Sequence, residues 1–137
     1  RSNDNVTGSS TMQYDENGKL IRACEFDADG RNIKDTYYKE DGSYTVTTTT
    51  YDENGVENGR THYLYDANGT LYAITVNSYE NGVQTGQVQY TPEMVKTSST
   101  KYYYNEAGQI SKFEYFTADD KIRKSRIQKK EAQRSYG

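Results

Sequence analysis

Apolar and polar positions alternate in short runs along most of this chain, and glycine interrupts the runs at regular intervals. The stretch from Tyr65 to Gly82, YDANGTLYAITVNSYENG, shows the unit. An aromatic residue and an acid lead into Asn68-Gly69. A run from Leu71 to Val76 follows, and Tyr79-Glu80-Asn81-Gly82 closes it. Asn-Gly accepts the positive φ angles of a tight hairpin reversal. Thr, Val, Ile and Tyr between the reversals suit a pleated, half-buried strand. The unit predicts antiparallel β-structure.

The unit recurs. Its leading aromatics are Tyr14, Phe26, Tyr38, Tyr51, Tyr65, Tyr79, Tyr90, Tyr104 and Phe116, spaced 12, 12, 13, 14, 14, 11, 14 and 12 residues apart. Such self-similarity marks a repeat architecture. Each interval holds one turn and one strand of roughly eight to ten residues, and is too short for a strand-plus-helix unit. The pattern therefore predicts an all-β, antiparallel meander of about nine tandem hairpin repeats. It leaves open an extended single sheet or a β-solenoid or rolled sheet. Residues 1–10 read as a polar lead-in, 11–128 as the repeat domain with its first strand starting near Thr11, and 129–137 as a basic tail. Glu57-Asn58-Gly59 and Gly86 follow other turns closely, which predicts longer loops or bulges. Pro92 belongs at a turn or edge.

Within the runs, parity is mixed. Leu20, Cys24 and Phe26 share one parity, with Ile21 and Ala23 on the other. Tyr44, Val46, Thr48 and Thr50 share a parity within a stretch, Thr45 to Thr50, made only of β-branched residues. Neither face is cleanly polar, as expected of a thin sheet covered on both sides.

Composition narrows the architecture. Hydrophobic residues make up 32% of the 137 residues and include 15 tyrosines against 3 phenylalanines and no tryptophan. That aliphatic supply is thin for a two-layer sandwich. Tyrosine rings and threonine methyls can cover a sheet while their hydroxyls stay wet.

Charge divides unevenly. Residues 1–118 carry 10 basic and 17 acidic side chains, and residues 119–137 carry 7 and 3. The acidic repeat body argues against nucleic acid as a partner, since phosphate recognition needs clustered Lys and Arg. No apolar run approaches the ~20 residues that cross a bilayer as a helix, so no membrane span is expected. One cysteine, Cys24, gives no intrachain disulfide and no Cys-based zinc site. The sequons at Asn5 and Asn68 are expected by chance in a chain rich in Asn and Thr.

The units YDENGKL at 14–20, YDANGTL at 65–71 and FDADGRNI at 26–33 resemble the YD repeats of RHS proteins and teneurins, over about residues 14–122. The resemblance implies an extracellular or cell-surface β-hairpin array, here a short bacterial version whose leader is removed or lies outside this sequence. Some members of that family coil into hollow shells, so a fragment of an RHS-type shell is one alternative.

Candidate chemistry is sparse. Glu25 to Gly30 alternates oxygens before a glycine, like the first half of an EF-hand loop, but the closing glutamate position holds Thr36. Asp and Asn are expected there for turn geometry, and no metal or cofactor is expected. His62, the single histidine, has no imidazole partner. No nucleophile elbow or phosphate-cradling loop occurs, so no catalytic role is expected. A row of tyrosines could stack on sugar rings, with Tyr102, Tyr103 and Tyr104 as the densest group and Tyr63, Tyr65, Tyr72 and Tyr115 across strands. The competing expectation is that these rings form cross-strand ladders that hold the sheet. The function expected is a non-catalytic β-repeat spacer or interaction module. It would meet a protein partner or neighbouring repeats through its sheet edges; carbohydrate binding through a tyrosine-lined face is the alternative.

Overall fold

The computed structural model describes residues 8–119 and the backbone of a final strand, 122–127. Ten strands follow one another: β1 (Ser9–Tyr14), β2 (Leu20–Phe26), β3 (Asn32–Tyr38), β4 (Tyr44–Tyr51), β5 (Glu57–Tyr65), β6 (Leu71–Glu80), β7 (Val83–Tyr90), β8 (Lys96–Tyr104), β9 (Ile110–Thr117) and β10 (Ile122–Ile127). They form one sheet in strict sequence order, every pair antiparallel, and β1 and β10 do not meet. The fold is an all-β meander in a single unclosed sheet, the extended one of the two expected forms.

Ten strands arise from nine repeats because each of the nine aromatic marks heads a turn. β1 starts at Ser9, so the lead-in overlaps the first strand. The basic tail, 129–137, and most of the lead-in lie outside the described residues.

The turns differ from the simple Asn-Gly reversal. In the first, Gly18 N–H donates to Asp15 C=O at 3.0 Å and Asp15 N–H donates to Lys19 C=O at 2.9 Å. Gly18 has φ 84° whereas Asn17 keeps an ordinary negative φ. This is a type I turn closed by a left-handed glycine. It recurs at Gly30, Gly42, Gly55, Gly69 and Gly108. Among the described residues, only Asn81-Gly82 makes the two-residue reversal, with φ 53° and 82° and Glu80 opposite Val83. At five of the longer loops the residue after the aromatic supplies a side-chain cap. Asp15 Oδ1 accepts from Asn17 N–H at 2.8 Å and Lys19 N–H at 2.9 Å. Asp27, Asp52, Asp66 and Asn105 repeat this pair of bonds. At Tyr79-Glu80-Asn81-Gly82 the sequence is one residue shorter and the cap is lost.

Register shifts of one residue accompany most turns, as at Tyr14↔Leu20 and Tyr51↔Glu57. Glu57-Asn58-Gly59 is therefore the start of β5 at a bulge. Gly86 lies in β7 beside the shift between Ser78 and Tyr79. Pro92 sits in the turn from Thr91 to Val95.

Among the described residues no second layer packs on the sheet, and the core is correspondingly small. Cys24 and Ile74 are the buried apolar residues among those described, and Asn77 and Ser98 the buried polar ones. Cross-strand pairing defines two faces. The back carries Met12, Ala23, Thr36, Val46, Tyr63 and Ile74 as successive partners from β1 to β6. The front carries Thr11, Cys24, Asp35, Thr47, His62, Thr75, Gln89 and Ser98 as successive partners from β1 to β8.

Candidate functional site

Alternation along paired strands places the aromatics that head turns at one end of the sheet (Tyr14, Tyr38, Tyr65 and Tyr90) on the back. Those heading turns at the other end (Phe26, Tyr51, Tyr79 and Tyr104) lie on the front. On the back, Tyr44 stacks on Tyr65 with centroids 4.7 Å apart and touches Tyr38 at 5.6 Å. This is a cross-strand ladder.

The seven tyrosines expected to share one face are divided between two. Tyr63, Tyr65, Tyr72 and Tyr103 are on the back; Tyr102, Tyr104 and Tyr115 are on the front. Three neighbours in one strand must alternate, so Tyr102 to Tyr104 cannot form one platform. Their rings and hydroxyls are also engaged. Tyr103 O–H donates to Glu114 Oε1 at 2.7 Å, and Lys101 and Lys112 lie 5.5 and 4.7 Å from its ring centroid. Tyr104 O–H donates to Gln84 C=O, and Tyr102 packs on Phe113 at 6.3 Å. The Glu114 carboxylate raises the Tyr103 phenol above its ordinary value.

The front holds a polar site. Its central strand, β4, presents Thr47 and Thr49, short side chains that leave a trough between taller neighbours. On the β3 side, Arg22 from β2 donates to both oxygens of Asp35, at 3.1 and 2.7 Å. Asp35 also accepts from Cys24 Sγ–H at 3.5 Å. The Arg22 guanidinium lies over Tyr37, 5.0 Å from the ring centroid. On the β5 side, Arg60 pairs with Glu57 at 2.7 Å, and His62 Nδ1 meets Thr47 Oγ1 at 2.8 Å. Tyr51 closes one end, its hydroxyl donating to Asn32 C=O at 2.7 Å. Asn32 Oδ1 is buried without a hydrogen-bond partner. The depression has a volume of about 470 Å³.

Its electrostatics follow from these contacts. The Arg22 guanidinium holds the Asp35 carboxyl below the usual carboxylate range, and Asp35 in turn raises Arg22. Burial, helped by Arg60, lowers His62, so its imidazole is neutral at pH 7. Burial raises the Tyr51 phenol. With both arginines paired and the histidine neutral, the trough has no net charge.

The signal for this site was present in the chain. Once the turns are placed, register follows, and Thr47 must face Asp35 and His62. His62 read alone is an ordinary strand residue; read in register, it belongs to a polar file.

The acids of the turns are used by the turns. Asp27 accepts from the backbone N–H groups of Asp29 and Arg31 and from the Arg31 side chain, and Asp29 pairs with Arg31 at 2.7 Å. The backbone donor of Arg31 is the main cause that lowers the Asp27 carboxyl. Among the described residues, no group of three or more His, Cys, Asp or Glu side chains could hold a metal ion.

No protein-family model and no curated protein matches the chain. Among solved structures, the chain is similar to a Bacteroides fragilis protein of unknown function. The identity is 12% over 88% of this chain and 93% of that one, with a TM-score of 0.29. So loose a superposition carries nothing about function.

Proposed function

We propose that this chain is a non-catalytic spacer and interaction module of a bacterial surface or secreted protein. One observation carries the reading: ten strands pair only with their sequence neighbours, in one layer. Such a chain is a one-dimensional array whose length is set by its number of repeats. Nine interstrand steps of ~4.8 Å give a span of about 43 Å. Separating two neighbours needs only length, which such an array supplies in proportion to its repeats. Partners of the proposed module are proteins or further repeats that meet its edges by strand addition.

Duplicating residues 39–65 in tandem, one strand–turn–strand unit with its leading turn, tests the reading. The extended protein is expected to fold, and the distance between spin labels on β1 and β9 is expected to grow by about 10 Å, two strand spacings. A product that fails to fold, or whose distance is unchanged, contradicts an additive spacer.

A further inference from the structure

We propose that the trough over β4 binds a neutral saccharide, laid along the strand between Tyr37 and Arg60. The spacer reading does not depend on this site.

The chemistry of the trough selects the ligand. Of the residues that line it, none is aliphatic. A lipid or an apolar peptide side chain would find no anchor there. Each arginine is already paired with a carboxylate, Arg22 with Asp35 and Arg60 with Glu57. An anion would have to draw a guanidinium from its partner. Polyhydroxyl ligands need no such exchange, because paired guanidinium and carboxylate groups still offer donors and acceptors in fixed directions.

Aromatic and hydroxyl groups are placed to match. Tyr37 is 53% exposed, and Arg22 covers its ring at 5.0 Å from the neighbouring strand β2. The β4 side of the ring is left to take the C–H face of a sugar. Thr47 holds His62 through Nδ1, which leaves Nε2 for a ligand hydroxyl. Neutral His62 adds no charge that a neutral ligand would have to satisfy. From Thr45, opposite Tyr37, to Tyr51, opposite Glu57, the strand runs about 20 Å at ~3.3 Å per residue, room for a short oligosaccharide.

This reading also accounts for the β-branched stretch in β4. Thr at alternate positions keeps the strand stiff and the floor low. Larger residues at 47 or 49 would fill the trough.

The test is titration of the intact chain with six-unit oligosaccharides of glucose, N-acetylglucosamine, mannose and galactose, followed by amide NMR. Saturable binding of at least one is expected, with shifts concentrated on β3, β4 and β5. Tyr37→Ala should weaken it about tenfold. Thr49→Val, which keeps shape and removes the hydroxyl, should weaken it as well. Tyr72→Ala, on an exposed tyrosine of the opposite face, should leave it unchanged. Absence of saturable binding to every member would overturn the proposal. So would binding that neither Tyr37→Ala nor Thr49→Val alters.

Discussion

Met94 occupies the place that glycine holds in the other type I turns, with φ 67°. A side chain there pays the left-handed penalty of roughly 1–2 kcal/mol, and Met94 is 55% exposed, so little packing offsets it. Met94→Gly should therefore stabilise the protein by about 1 kcal/mol in urea denaturation. An unchanged midpoint would mean that the exposed side chain makes up the difference. His62 gives a second residue-scale expectation. Its folded pKa is lowered, so the unfolded chain binds the proton more readily and stability falls as pH drops through the ordinary histidine range near ~6.5. His62→Gln should flatten the stability profile between pH 7.5 and 5.5. The carboxyls of Asp27, Asp35 and Asp41 are also held low, and their contribution is lost at more acid pH, as each takes up its proton. A profile that His62→Gln leaves sloping would assign the loss to other groups.

At the scale of the element, the turn is the unit that specifies the sheet. Asp66 Oδ1 accepts from Asn68 N–H and Thr70 N–H at 2.9 and 3.0 Å. Removing both bonds with Asp66→Ala should cost about 1–2 kcal/mol by denaturation. The turn headed by Tyr38 lacks this cap, because Lys39 stands where the acid should be; there Asp41 bonds Ser43 N–H and Oγ–H instead. Lys39→Asp should add a cap and gain up to about 1 kcal/mol, less if it displaces the Asp41 bonds. The turns were legible because Tyr-Asp-x-x-Gly carries its own hydrogen-bond logic. The faces were less so. Leu20 pairs with Tyr14, whose hydroxyl reaches Met12 on the back, while Cys24 faces front. Counting parity across the bulge therefore puts Leu20 on the wrong side. The same limit hid the trough: Arg22, Asp35 and His62 are far apart in the chain, and only register brings them together. Tyr102 to Tyr104 divide between the faces for a simpler reason, since adjacency in a strand means opposite faces.

At the scale of the molecule, a single layer changes what holds the fold. With Ile74 and Cys24 as its buried apolar residues among those described, the sheet relies on cross-strand ladders, ion pairs and capped turns repeated along its length. Pairs such as Tyr44–Tyr65 and Arg22–Asp35 each act between neighbouring strands. Stability should then be local, a sum over adjacent strands, and amide exchange should be slowest in the central strands and fastest in β1. Uniform protection across all strands would instead indicate one cooperative core. The measurement that tests the account most directly is the distance between spin labels at Thr11→Cys on β1 and Tyr115→Cys on β9, with Cys24→Ala to remove the native thiol. Eight strand spacings place the two backbones about 38 Å apart in one open sheet. A distribution centred near 35–40 Å supports the single-layer spacer. One centred below about 25 Å would mean that the sheet rolls up or folds into two packed layers, and would contradict it.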